Sequence, residues 1–250
     1  MDTYESRGAS AHKPDVKNAI KNLDQGIFPG AFCKAIPDVF HNDPDYCFLL
    51  HADGAGTKSA LAYLHYLENK DISVFKNIAQ DSLVMNLDDL LCVGATGPFV
   101  LSNTIGRNLK LISGDIVKSI IYGYEEFCDI MTDMGIDIAR CGGETADLGD
   151  LVRTVIVDSV LATRMKRSDF IDNSKIKPSK IIVGLASFGK STYENEINSG
   201  IGTNGFTAAR HELLKSDYKA YTETYAPDIA EAAYSGKFLL SDRLNDDFSI

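Results

Sequence analysis

The sequence predicts a chain built from both helices and strands and divided into two parts. Three observations lead there. Short apolar runs such as Tyr46-Cys47-Phe48-Leu49-Leu50 stand between longer segments whose apolar residues recur every three or four positions. A charged stretch with one proline, MKRSDFIDNSKIKPSK at 165–180, breaks this pattern and reads as a linker. The 250 residues, 44% of them hydrophobic, supply core enough for one or two domains.

In chain order, Pro14 suits the first turn of a helix with Val16, Ile20 and Leu23 on one stripe. Residues 46–52 read as a buried strand that ends at Asp53. A helix follows over 57–68, with Leu61, Leu64 and Leu67 inward, and a longer one over 75–93. The apolar face of the longer helix is Ala79, Leu83, Leu87, Leu90 and Leu91. Residues 98–105 alternate as a strand does. Ser113 is a good N-cap for a helix carrying Ile116, Ile120, Tyr124, Phe127 and Met131, and Gly135 is a good stop. Residues 136–140 form a short strand, CGGETADLGD at 141–150 a glycine-rich loop, and 151–163 a long strand. Beyond the linker come a short apolar strand over 181–186, a polar stretch to Gly205 and a helix over 206–214. The end from Ser235 reads as irregular.

Composition narrows the function. A net charge of −10 disfavours a general nucleic-acid binder. The five cysteines are scattered without a CxxC pair, which points to small core residues in a reducing compartment. The N-terminal stretch lacks a signal-peptide core, and no apolar run reaches 18 residues. A cytoplasmic protein that meets neither membrane nor nucleic acid is expected.

Acids and glycines carry the chemistry. Asp81 and Asp88 lie two turns apart on the 75–93 helix, about 10 Å along its axis, and Asp89 is one step round. They face away from the leucine stripe. A solvated acidic face explains such a row, and so does a carboxylate row that holds magnesium. HADGAGTK at 51–58 places Asp53 at a strand end, Gly54 and Gly56 where backbone approaches a ligand, and Thr57 and Lys58 at a helix start that favours anions. The spacing is not that of a Walker A loop. GGETA at 142–146 sets an acid and a hydroxyl after two glycines. NSGIGTNGF at 198–206 precedes another helix and suits either an amide nest or a flexible loop. For His51, His65 and His211 an ordinary packing role is the plainer expectation.

Taken together, four strings resemble one family in order and spacing. HADGAGTK resembles D-G-V-G-T-K. QDSLVMNLDDLLCVGATGPFVLS resembles a segment with N-D-L-L and then G-A-x-P. CGGETADLGD resembles G-G-E-T-A-E-M, and GLASFG followed by GTNGFTAAR resembles G-L-x-S-x-G followed by S-N-G-Y-S-L-V-R. The family is that of the phosphoribosylformylglycinamidine cyclo-ligases, or aminoimidazole ribonucleotide synthetases. The likeness runs from about Tyr4 to about Leu214, and the family's chains run further, so the chain reads as truncated in its second part. Other ATP-using enzymes of the superfamily, such as selenophosphate synthetase, thiamine-monophosphate kinase and formylglycinamidine synthase, resemble it less.

The resemblance implies an α+β protein of two domains: 1–167, an ATP-binding and dimerisation domain with a mixed sheet flanked by helices, and 168–250, the start of an α+β domain. It implies a homodimer whose first domains pair through their sheets into a barrel. The implied reaction is the ATP- and magnesium-dependent closure of formylglycinamidine ribonucleotide to aminoimidazole ribonucleotide. Carried over residue by residue, Lys58 and Asp89 serve the chemical step. Asp53, Gly54, Gly56, Thr57, Lys58, Asp88, Gly142, Gly143, Thr145 and Asn204 contact nucleotide or substrate, and Asp53, Asp81, Asp88 and Glu144 hold magnesium. Their carboxylates are expected to converge on one cleft. Two departures stand out. Asp88-Asp89 replaces an asparagine–aspartate pair, and Gly202 occupies the place of a family histidine, for which His51 or Lys190 would have to substitute. A paralogue that binds nucleotide without catalysis is the reading of a different class.

Overall fold

A computed structural model describes residues 3–10, 12–195, 197–198 and 200–243. Two short helices, α1 (Thr3–Ser6) and α2 (Pro14–Ile20), precede the strands β1 (Ala35–Pro37) and β2 (Tyr46–Gly54). Then come α3 (Lys58–Asn69), α4 (Val74–Leu91), β3 (Phe99–Arg107), α5 (Gly114–Asp133), β4 (Ile138–Asp147) and β5 (Val155–Lys166). The last helix is α6 (Phe206–Leu213), with short 3-10 turns around it. This is the mixed α+β arrangement expected.

The five strands form one sheet in the order β1-β2-β5-β3-β4. Only β3 and β4 run parallel. Helices α4 and α5 cover one face, α4 across β2 and β5 and α5 against α4. Alternation therefore sends Leu49, Leu101, Ile105, Val157 and Leu161 inward, where they are buried with Leu83, Leu90, Ile116, Ile120 and Phe127. Ser113 caps α5 by accepting a hydrogen bond from Ile116 N, and Gly135, at φ +89°, follows its last turn. At Gly123 the backbones of α5 and α4 approach so closely that a Cβ would lie 2.5 Å from Lys76 O.

Four expectations need correction. The glycine-rich stretch after Arg140 is not a loop. It continues β4, because β3 offers a parallel edge and Gly143 lets the strand close on Asn103, whose carbonyl would be 2.3 Å from a Cβ. The extra residue between Arg140 and Gly143 is taken up as a bulge opposite Leu101 and Asn103. The 165–180 stretch is partly anchored: Phe170 is buried and stacks on Phe28, with ring centroids 4.1 Å apart. Residues 181–186 form no strand. Ile181, Ile182, Val183 and Leu185 are 77–96% exposed, with no neighbouring strand among the described residues to take their hydrogen bonds. Finally, the Val16, Ile20 and Leu23 stripe of α2 faces solvent rather than the core. The final stretch at 244–250 lies outside the described residues.

The other face of the sheet carries no helix among the described residues, yet it is not polar. Leu50, Ala162, Val100 and Ala139 follow one another across β2, β5, β3 and β4, with Ile156 and Val160 nearby. Leu50 is 62% exposed. An antiparallel sheet that faces water ordinarily alternates apolar with polar residues.

Candidate functional site

HADGAGTK leaves β2 and enters α3, and the fold brings it against the glycine-rich segment that enters α6. The Thr57 and Thr207 hydroxyls are 2.8 Å apart. Gly56, at φ +54°, lies so near Thr203 that a Cβ would sit 3.4 Å from its methyl group. Two strings separated by some 150 positions, one ending at Lys58 and the other containing Asn204, thus form one corner with two helix starts.

Lys58 Nζ donates to Asp81 Oδ1 at 2.6 Å, and both side chains are more than three-quarters buried. Burial pushes the Asp81 carboxyl up from its ordinary range, while the Lys58 charge and hydrogen bond pull it back down. The pair lines a cavity of about 710 Å³ between α3, α4, the 193–201 stretch and α6. Its wall combines Leu61, Ile78 and Phe206 with the amides of Asn77, Gln80 and Asn195. That volume is in the range that holds a nucleotide-sized ligand.

A second polar group lies beneath β2. Asn86 is fully buried, and its Nδ2 faces the carbonyls of Asp53, Ser82 and Ser159 at 3.1–3.2 Å. Its Oδ1 must therefore point to His51 Nδ1, 3.0 Å away, and His51 Nε2 reaches Asp89 Oδ2 at 3.0 Å. Ser159 Oγ joins Ser82 Oγ and the Tyr124 hydroxyl. Burial raises the Asp89 carboxyl, with His51 opposing and Asp53 adding to the rise. It raises Asp88 too, with Asp89 contributing.

The four carboxylates assigned to magnesium do not converge. Asp53 shares a cross-strand row with Ser159, Asn103 and Gly143, on the helix-covered face. Glu144 shares the next row with Thr104, Asp158 and Gly54, on the bare face. Successive rows point to opposite faces, and three strand spacings, about 14 Å, separate β2 from β4. Asp81 is engaged by Lys58, and Asp88 is exposed. Among the described residues no three His, Cys, Asp or Glu side chains group as a metal site. Gly142, Gly143, Glu144 and Thr145 line a separate cavity of about 140 Å³ beside Asn103, Tyr124 and Arg140.

Sequence reasoning missed three groups. Asp158 lies over Gly54, where a Cβ would meet its Oδ1 at 1.8 Å, and burial followed by the Asp53 charge raises its carboxyl. Ser82 and Asn86 interrupt the apolar stripe of α4 four residues apart, a signal for buried hydrogen bonding that was available. Arg210 lines the large cavity although it is 3% exposed.

Residues 34–162, just over half of the chain, match the family described as AIR synthase related protein, N-terminal domain. The phosphoribosylformylglycinamidine cyclo-ligase of Methanococcus maripaludis (strain C7) is 30% identical over 237 residues, which is 88% of this chain and 58% of that protein. The enzyme of that name from Staphylococcus carnosus (strain TM300) is 29% identical over 184 residues, 69% of this chain and 46% of the relative. The chain thus spans about half the length of these curated relatives. Among solved structures, T. maritima PurL complexed with ADP aligns with a TM-score of 0.44 at 15% identity, covering 70% of this chain and 26% of that one.

Proposed function

Because this chain belongs to the AIR synthase related family, we propose that it takes part in purine biosynthesis as an ATP-dependent cyclo-ligase, closing formylglycinamidine ribonucleotide to aminoimidazole ribonucleotide. The observation that carries the reading is the corner where the two glycine strings meet, with Thr57 against Thr207 and Lys58 facing the large cavity. Helix starts and a lysine neutralise phosphate charge, which an acidic protein must do locally. The curated relatives bear the name of this activity.

The chemistry needs little covalent help from the protein. The amide oxygen of the substrate attacks the γ-phosphorus of ATP and ADP leaves. The substrate's own amine then attacks the activated carbon, the C–O bond breaks to release phosphate, and the amine gives up a proton. Such steps depend on position and on charge neutralisation. In this reading Lys58, Gly54, Gly56, Thr57 and Asn204 hold the nucleotide, and ATP arrives with its magnesium ion as substrate. Among the described residues no three carboxylates group as one magnesium set, and no step is assigned to one. Asp89, held by His51, stands near Asp53 at the same end of β2. The division into domains at 167/168 and a cytoplasmic setting belong to the same proposal, and no helix among the described residues is long and apolar enough to cross a membrane.

The bare apolar face of the sheet supports a homodimer, and Glu144 on that face would look toward the partner subunit. Gly202 favours a second reading, a nucleotide-binding paralogue without catalysis. Its surroundings are open, with nothing within 4 Å of a Cβ. A coupled assay for ADP and aminoimidazole ribonucleotide separates the two. Stoichiometric formation of both is expected, and nucleotide binding without product would sink the ligase reading in favour of the paralogue.

A further inference from the structure

The large cavity contains a cation that none of the site assignments uses. Arg210 projects from α6 and is 3% exposed. Its Nη1 donates to Thr224 O and to the Tyr234 hydroxyl, both at 2.7 Å. Its Nε has no hydrogen-bond partner among the described residues. Nη2 lies 3.2 Å from His211 Nε2, but His211 Nδ1 already faces the Tyr234 backbone N–H at 3.3 Å. Burial and the nearby Arg210 and Arg7 charges push His211 down to about 3, so the ring is neutral and has one lone pair for these two donors. The ring can serve only one of the two, so Nη2 has no acceptor beyond this shared imidazole. Nε and Nη2 lie along one edge of the guanidinium, and that edge has at most one imidazole nitrogen as acceptor, with Nε wholly unpartnered among the described residues.

No carboxylate pairs with Arg210 among the described residues. Arg7 lies near the same His211, donates to Ser235 Oγ at 2.8 Å, and also has a partnerless Nε. His65, whose Nδ1 is buried and partnerless, lines the cavity as well. In a protein of net charge −10, buried guanidinium without an acid is an anomaly that an anionic ligand would resolve. A planar fork suits a phosphate better than a point charge does.

We propose that this cavity binds a ribose phosphate ester, with the Nε edge of Arg210 as its phosphate anchor. The inference deepens the reading above, since Lys58 lines the same cavity. Phosphate of this chemistry comes either from the nucleotide or from the ribonucleotide substrate.

Isothermal titration of the purified protein with ADP, ribose 5-phosphate and ribose, at matched ionic strength, tests it. The wild type should bind at least one phosphorylated ligand at least tenfold more tightly than ribose. Arg210→Lys, which keeps charge but loses the fork, should lose about tenfold for that ligand, and His65→Ala several-fold. A loss confined to ribose 5-phosphate assigns the anchor to the substrate, and a loss confined to ADP assigns it to the nucleotide. Should Arg210→Lys fail to fold, judged by circular dichroism, His65→Ala and the wild-type preference carry the test. A wild type indifferent to phosphate, or folded variants that bind as it does, would overturn the proposal. Product formation by Arg210→Lys at wild-type KM would overturn it too and leave the ring closure standing. Phosphate binding lost in Arg210→Lys, in a protein that makes no product, would retain the anchor and remove the ring closure.

Discussion

A Cβ at Gly123 would lie 2.5 Å from the Lys76 carbonyl oxygen and 2.7 Å from its Cα, whereas one at Gly202 would meet nothing within 4 Å. The two glycines mark two kinds of region. Residues 34–166 hold one sheet, two long helices and a continuous core, with helix backbones in contact. The described residues of 167–243 hold one helix of eight residues, several 3-10 turns and, with Leu64 of α3, a small cluster built on Leu214, Tyr218 and Tyr234. In the first region regular elements bury one another. In the second, buried polar side chains such as Arg210, His211 and Thr224 hold irregular backbone together.

The same substitution should therefore act very differently in the two regions. Gly123→Ala forces two helices apart and should destabilise the protein by about 3 kcal/mol or more in chemical denaturation. Gly202→Ala should change stability by less than about 0.5 kcal/mol. Similar losses at both positions would show that the regions are packed alike.

A polar pair sharpens the comparison at a smaller scale. Asn86→Leu strands the Asp53, Ser82 and Ser159 carbonyls and releases His51. A loss of about 2–3 kcal/mol is expected from the same denaturation measurement. Asn195→Leu, at an exposed position, should be within about 0.5 kcal/mol of wild type. An Asn86 variant as stable as wild type would mean that the seam beneath β2 does not hold the sheet to α4.

Much of the first region was legible because its rhythm and its core agree. Ser113, the Ile116-to-Met131 stripe and Gly135 delimit α5 in the sequence itself. The GGETA stretch misled because glycines at 142 and 143 read as a turn, while the edge of β3 was available to pair with them. The helix start at Lys58 and that at Phe206 were both readable, but not their meeting through Thr57 and Thr207, since local pattern is silent about contacts between residues so far apart in the chain. Asp158 and Arg210 stayed hidden for the same reason. The 181–186 run has strand composition, but composition cannot supply the neighbouring strand that hydrogen bonding requires.

Exposed apolar residues in the two regions offer a third contrast. Under the dimer proposal, Leu50→Lys on the bare sheet face should weaken self-association at least tenfold in sedimentation equilibrium, equivalent to about 1.4 kcal/mol. Ile182→Lys, at a residue 96% exposed in the second region, should leave association unchanged. A wild type that sediments as a monomer at micromolar concentration would contradict the dimer.

The central claim is that phosphate is held where the two glycine strings meet. Steady-state kinetics with ATP varied, on Lys58→Ala and on Lys70→Ala, tests it most directly. Lys70 ends the same helix α3 and lies 5.4 Å from the Tyr66 ring, away from the corner. Lys58→Ala should lower kcat/KM for ATP by roughly ten- to a few-hundred-fold with the fold intact, and Lys70→Ala should be nearly silent. Equal and small effects from the two substitutions would mean that Lys58 serves only its ion pair with Asp81, and that the phosphates bind elsewhere.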